Sequence, residues 1–264
     1  MSRFKDFLTA HCTVLARSFF LILGCAAVFW GATAFPVFWQ QSSTERIARR
    51  IVAGDTFGAS ALSGQLPVID RIENSAYCRP SAVQSAAIIR LRIVQADIAK
   101  KDQKRIDENL QSLDNAVHTS LSCSPADPFL WLVLWWVKNT QNGFRPDDLK
   151  YLRLSYRLGP NEAWIAFNRS RFAFSMFERL PNDLTEDAIN EFIGLLRSEL
   201  YGQAVGILTG PAWNTRDLVL DRLRDLPKRT KENFAKALHA QGYDVVIPGI
   251  EANPGRPQKL ELRF

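Results

Sequence analysis

Hydrophobic and polar positions divide this chain into two regimes. From Ser18 to Thr44 no residue carries a formal charge, and Phe19 to Trp39 is dominated by Phe, Leu, Ile, Ala, Val and Trp. Beyond it the apolar residues recur at helical spacing and are cut into short segments by Gly, Pro and polar clusters. The first regime predicts a helix spanning roughly 32 Å, about the thickness of a bilayer core. The second predicts an all-α fold built from antiparallel helix pairs.

The spacing predicts the following elements. Ser42-Ser43-Thr44-Glu45 has the form of a capping box and predicts a short helix to about Val52. Gly54, Gly58 and Gly64 then predict a loose spacer with scattered apolar contacts. Pro80 fits the first helical position. Val83, Ala86, Ala87, Leu91, Val94 and Ile98 form one apolar stripe, and Ile106, Leu110, Leu113, Ala116, Val117 and Leu121 form another. The polar run Lys100–Lys104 separates them as a hairpin turn. Asp127-Pro128 opens a helix that is apolar from Phe129 to Val137 and too short to cross a bilayer, so Trp131, Trp135 and Trp136 are expected in the core, with a sugar-stacking platform as the alternative. Further helices are expected after Pro146, after Asn161, from Leu184 to Tyr201, from Leu218 to Leu226 and from Pro227 to Ala240, with Gly242 as a terminator.

A weak repeat runs through the middle. Pro125 and Pro160 are 35 residues apart, and so are Asp127 and Glu162, Phe129 and Trp164, and Leu132 and Phe167. Tetratricopeptide units, one helix pair each, repeat at about 34 residues. The domain plan is then residues 1–18 as a cytoplasmic N-terminus, 19–39 as a transmembrane helix and 40–75 as juxtamembrane helix and spacer. A tetratricopeptide-like helical domain over 76–242 and an extended Pro/Gly-rich tail over 243–264 complete it. Leu260, Leu262 and Phe264 alternate at the end of the tail, which fits a frayed, inert terminus first and a strand that adds to a partner second.

Cysteine placement bears on the compartment. The hairpin turn is the midpoint between Cys78 and Cys123, so folding the hairpin brings them together at its open end, and a disulfide is expected there. Such a bond belongs to an oxidising compartment. The other cysteines, Cys12 and Cys25, lie in or beside the apolar run. Ala32-Thr33-Ala34 also matches a signal-peptide cleavage site, so a cleaved leader and a retained anchor both fit, and both place the rest of the chain outside the cytoplasm. Basic residues flank the run on both sides, Arg3, Lys5 and Arg17 before it and Arg46, Arg49 and Arg50 after it, and so do not orient it.

Composition adds little. With 47% hydrophobic residues in 264, a sizeable core is available, and the net charge of +6 is mildly basic. No catalytic signature is present. There is no CxxC, HExxH, GxSxG or phosphate-binding glycine motif, and His11, His118 and His239 have no metal-like spacing partners. No cofactor and no nucleic acid are expected. The one candidate surface is basic: Lys150, Arg153 and Arg157 share a helix face, and Arg169 and Arg171 follow on the next helix. Lys228, Arg229 and Lys231 lie near the end. Such a strip suits an acidic glycan, lipid phosphate or an acidic partner, or is merely a solvated face.

Three stretches carry a resemblance. Pro125-Ala126-Asp127-Pro128-Phe129-Leu130-Trp131, Leu158-Gly159-Pro160-Asn161-Glu162-Ala163-Trp164 and Tyr243-Asp244-Val245-Val246-Ile247-Pro248-Gly249-Ile250, behind one N-terminal anchor, resemble the small accessory proteins of bacterial exopolysaccharide clusters, the Vps type. The resemblance implies a single-pass inner-membrane protein, N-terminus cytoplasmic and helical domain periplasmic. It implies support of polysaccharide synthesis or export as a non-enzymatic scaffold touching other inner-membrane components. A direct binder or modifier of acidic glycan, and a helical adaptor in secretion or division, are the alternatives.

Overall fold

In the computed structural model, residues 2–75 and 77–250 are described, though not the side chains of 2–16, Ala34, 36–41 and Ala59. The described chain is helical and contains no strand. It forms two compact units, Met1–Cys123 and Ser124–Phe264. Their boundary falls inside the stretch expected to be one domain, 76–242.

The first unit begins with α1, Ser2–Val52, a single uninterrupted helix. The break and fresh start expected at Ser42–Glu45 do not occur, and the helix also runs through Pro36. The reason is burial. Thr44 and Ala48 are buried and Ile47 and Ile51 half-buried against the rest of the unit, so a helix through 42–52 gains tertiary contacts that a cap would forfeit. Arg49 and Arg50 in the last turn complement the negative end of the helix dipole. Gly54 at φ +99° then ends the helix, the role for which a residue without Cβ is suited.

The supposed spacer is core. It folds as α2 (Ala59–Ser63) and α3 (Leu66–Glu73), and Leu62, Ile69 and Ile72 are fully buried with Ala82, Val83, Ala86, Ile89 and Ile93. The hairpin forms as expected from α4 (Pro80–Lys100) and α5 (Gln103–Cys123), with Lys101 left-handed at φ 57° between them. α4 is buried on nearly every side because α1 and α3 pack on it as well as α5. α5 buries one stripe, Leu110, Leu113, Ala116, Val117 and Leu121. Arg90 reaches from α4 to Asp70 and Glu73 on α3 at 2.6 and 2.7 Å.

Among the described residues no helix is long and apolar enough to cross a membrane. The transmembrane helix expected at 19–39 is thus not found as such. Its described side chains run from Phe19 to Thr33 and include Phe35, and the remainder lie outside the described residues.

The second unit contains α6 (Pro128–Asn142), α7 (Leu149–Leu158), α8 (Ala163–Ser175), α9 (Asn182–Arg197), α10 (Tyr201–Leu208), α11 (Arg216–Asp221) and α12 (Lys228–Ala240). α6 packs on α7 and α8 on α9, and α10 closes against α8, α9 and α12. Asp127 caps α6 by accepting from the backbone N–H of Phe129 at 2.9 Å and Leu130 at 3.2 Å. Trp135 is fully buried, whereas Trp131 and Trp136 are half-buried. The repeat-related pair Phe129 and Trp164 meet with ring centroids 4.9 Å apart. A chain of rings, Phe174, Phe192 and Phe234, runs from α8 through α9 to α12 at 6.2 and 5.9 Å. After Gly242 (φ +86°) residues 243–250 are non-helical, and the alternating end of the tail lies outside the described residues.

Candidate functional site

Three features could carry function: the apolar stretch of α1, the cysteine pair and the basic strip.

On α1, Phe19, Phe20, Leu21, Ile22, Leu23, Val28, Phe29 and Trp30 are all exposed. These positions face every direction around the helix axis, so no single packed partner within a globule could cover them. The same helix carries Arg46 and Arg49, also exposed, on the side away from the buried Thr44 and Ala48. Arg50 is engaged with Asp55 at 2.6 Å and lies over the Phe57 ring.

Cys78 and Cys123 are joined by a disulfide, with Cα atoms 5.5 Å apart. It ties the segment before α4 to the last residue of α5 and closes the hairpin, as the spacing predicted. Cys25 is free and exposed. Cys12 lies outside the described side chains.

The basic strip separates into residues with different fates. Lys150, Arg153 and Arg157 are exposed on α7, where their three- and four-residue spacing puts them on one face. Lys150 sits 5.0 Å from the Tyr151 ring centroid. Arg153 is bound to Asp183 at the start of α9, Nε to Oδ2 2.6 Å. That hydrogen bond, chiefly, holds the Asp183 carboxyl below its ordinary pKa. Arg171 is exposed on α8 and lies 5.6 Å from the Phe167 ring.

Arg169 does not belong to a surface. It is completely buried, and the reading of it as an anion-binding residue is corrected accordingly. Its Nε donates to Glu191 at 2.9 Å, and its Nη2 donates both to Glu191 and to the Gly159 carbonyl, the latter at 2.9 Å. Nη1 donates to the Ser155 carbonyl at 2.6 Å and its hydroxyl at 3.0 Å. Ser170 donates to the other Glu191 oxygen at 3.1 Å, and the Tyr156 ring lies 4.2 Å from the guanidinium carbon. Burial pushes the Glu191 carboxyl up, and the Arg169 hydrogen bonds oppose that push. The network joins α7, α8 and α9: Arg169 adds a second donor to the Ser155 carbonyl, which also accepts from the Gly159 N–H at 3.2 Å, and supplies one to the Gly159 carbonyl beyond the end of α7. The sequence did carry a signal. Arg169 is four residues after Ile165 and four before Ala173, on the buried stripe of α8.

Elsewhere Lys231 is also buried, donating to the Arg224 carbonyl at 3.0 Å. Among the described residues no group of His, Cys, Asp and Glu is placed to hold a metal ion.

Comparison with known proteins adds no relative: no family model, no curated protein and no solved structure matches the chain.

Proposed function

We propose that this protein is a membrane-anchored helical scaffold of bacterial cell-surface polysaccharide synthesis or export. On this reading it acts by protein contacts rather than by catalysis. α1 is its single-pass inner-membrane anchor, with the N-terminus cytoplasmic and the helical units periplasmic.

One observation carries the anchor: the apolar side chains exposed all round α1 from Phe19 to Trp30. Left in water, such a helix would aggregate, whereas lipid solvates every face. The disulfide supports the compartment, because structural disulfides persist where the surroundings are oxidising. The pairing of α6 with α7 and α8 with α9, offset by the 35-residue spacing, supports a tetratricopeptide-like stack, a form that offers a platform for protein partners. Polysaccharide as the process rests on the three resembling stretches alone. A direct acidic-glycan site on the basic strip is less favoured, since Arg169 is internal and Arg153 is held by Asp183.

Two experiments test the parts separately. Carbonate extraction of native membranes should leave the protein in the pellet, and an Ile22→Arg/Val28→Arg variant should move to the supernatant. Extraction of the unaltered protein would overturn the anchor. Deleting the gene should change the amount or chain length of surface polysaccharide. Unchanged polymer would end the polysaccharide role while leaving the anchor standing.

A further inference from the structure

The disulfide-closed end of the hairpin carries an exposed ring. Tyr77 stands directly before Cys78 and is 82% exposed, more than any other large apolar side chain among the described residues. A single exposed ring needs no partner by itself. Its position gives it one.

That position follows from the start of α4. Ser81, in the first turn of α4, donates to Glu45 Oε1 on α1 at 3.0 Å, and Arg79 Nη2 lies 3.9 Å from the same oxygen. α4 therefore begins beside Glu45. Run back along α1 from there, it would cover Val28, Phe29, Trp30 and Phe35, and all four are exposed. Its core residues pack instead with Ile47 and Ile51, farther along α1. So α4 leads away from the apolar stretch, and the segment before it lies at the end of the unit that faces that stretch. Tyr77 is two residues before Arg79, within about 7 Å of chain. The disulfide brings the last residue of α5 to the same end.

Two cations stand there as well. Arg46 and Arg49 are exposed on α1, three residues apart and so on one side of the helix. The carboxylates nearby are engaged elsewhere, Glu45 with Arg79 and Ser81 and Asp55 with Arg50. Arg46 lies about 10 Å of helix beyond Trp39, where the apolar run ends. Side chains on a helix lean toward its N-terminus, here toward the apolar run. Arg46 thus reaches back toward the headgroup layer, roughly 5–8 Å deep, that would border the run. Arg49, about 5 Å farther along, is within a Debye length of the same layer.

We propose that this end of the first unit is seated on a phospholipid surface, with Tyr77 in the interface, Arg46 donating to a lipid phosphate and Arg49 adding attraction to anionic lipid. The proposal rests on α1 being the anchor. Tyrosine suits the place, because its ring is apolar while its hydroxyl stays wet. Arginine suits phosphate, to which it offers a planar fork of donors. The disulfide then has a second effect: it ties the Tyr77 segment to the end of α5, so the folded unit and not merely a loop bears on the lipid.

The test is fluorine NMR on the full chain in phospholipid nanodiscs, its five tyrosines replaced by 3-fluorotyrosine. The nanodiscs are of phosphatidylcholine, with or without phosphatidylglycerol. Tyr77→Phe identifies the Tyr77 resonance by its loss. That resonance should broaden more with a nitroxide carried on the lipid than with one dissolved in water. The broadening should grow with phosphatidylglycerol, and that gain should be lost in Arg46→Gln/Arg49→Gln. Broadening by the dissolved nitroxide alone overturns the proposal, and so does broadening by neither, the result of a protein partner covering Tyr77. Lipid broadening that ignores both phosphatidylglycerol and the double substitution also overturns it. All three outcomes leave the anchor standing, since carbonate extraction reads it separately. Loss of the unaltered chain from the carbonate pellet overturns the anchor and this proposal together.

Discussion

At the scale of single residues, Arg169 is the most consequential side chain in the second unit. Its charge is buried and matched only by Glu191, with the carbonyls of Ser155 and Gly159 absorbing its remaining donors. Removing one member leaves the other charge without compensation. Arg169→Leu or Glu191→Leu should each destabilise by about 3–5 kcal/mol, measurable by urea unfolding. The double substitution should recover part of that loss but not all, because the Gly159 carbonyl loses the Arg169 donor while the Ser155 carbonyl keeps only the Gly159 N–H. Gly159 is constrained for a different reason. A Cβ there would meet Pro128 Cγ at 2.6 Å and Cβ at 2.8 Å, both held at the start of α6. Gly159→Ala should cost about 1–3 kcal/mol through overpacking, with the loss seen in the same unfolding curve. Glycine at 159 and arginine at 169 were both visible in the sequence, the first only as a helix stop. Two arginines two residues apart on one helix suggest a shared basic surface, but Arg169 is buried and Arg171 exposed. The stripe of Ile165, Ala166 and Ala173 was the better guide, and the pairing partner Glu191 lies on another helix, where spacing says nothing.

At the scale of elements, two ties between segments invite measurement. Arg153 and Asp183 link α7 to the first turn of α9. The Asp183 carboxyl has a folded pKa below its unfolded one. Its contribution is therefore present above the ordinary aspartate value, near 4, and fades as pH falls through the lowered folded value. Both side chains are about half exposed, so the effect is small, a few tenths of a kcal/mol. An NMR titration should show Asp183 titrating low in the parent and returning toward its ordinary value in Arg153→Gln. The other tie is the disulfide. Replacing Cys78 and Cys123 by Ser should lower the stability of the first unit by about 2–5 kcal/mol, read as a fall in its melting temperature. The hairpin it closes was the most legible element, since two stripes of equal length and a polar turn are local features. The stretch 40–75 was the least legible. Its glycines signalled looseness, but Leu62, Ile69 and Ile72 are held by α4, a contact that local pattern cannot reveal.

At the scale of the whole molecule, each unit has its own buried core, and the covalent clamp lies wholly within the first. Calorimetry of the full chain should resolve two transitions. Adding a reductant should move one of them and leave the other in place, and a single transition that shifts as a whole would contradict independent units. All-α architecture was evident from helical spacing throughout. The division after Cys123 was not, because residues 124–127 join α5 to α6 as a turn no longer than those between helices of one unit.

The unbroken course of α1 has a mechanical consequence. A folded unit on a loose tether swivels freely, but one continuous with its own stem turns only when the stem turns. Each residue of helix advances the azimuth by about 100°. Lengthening the stem near residue 40 by two alanines would rotate the folded unit by roughly 200°, whereas four would leave it within about 40° of its original bearing while raising it by about 6 Å. If the direction in which the unit faces matters to its partners, tolerance of insertions should follow this phase and not the added length.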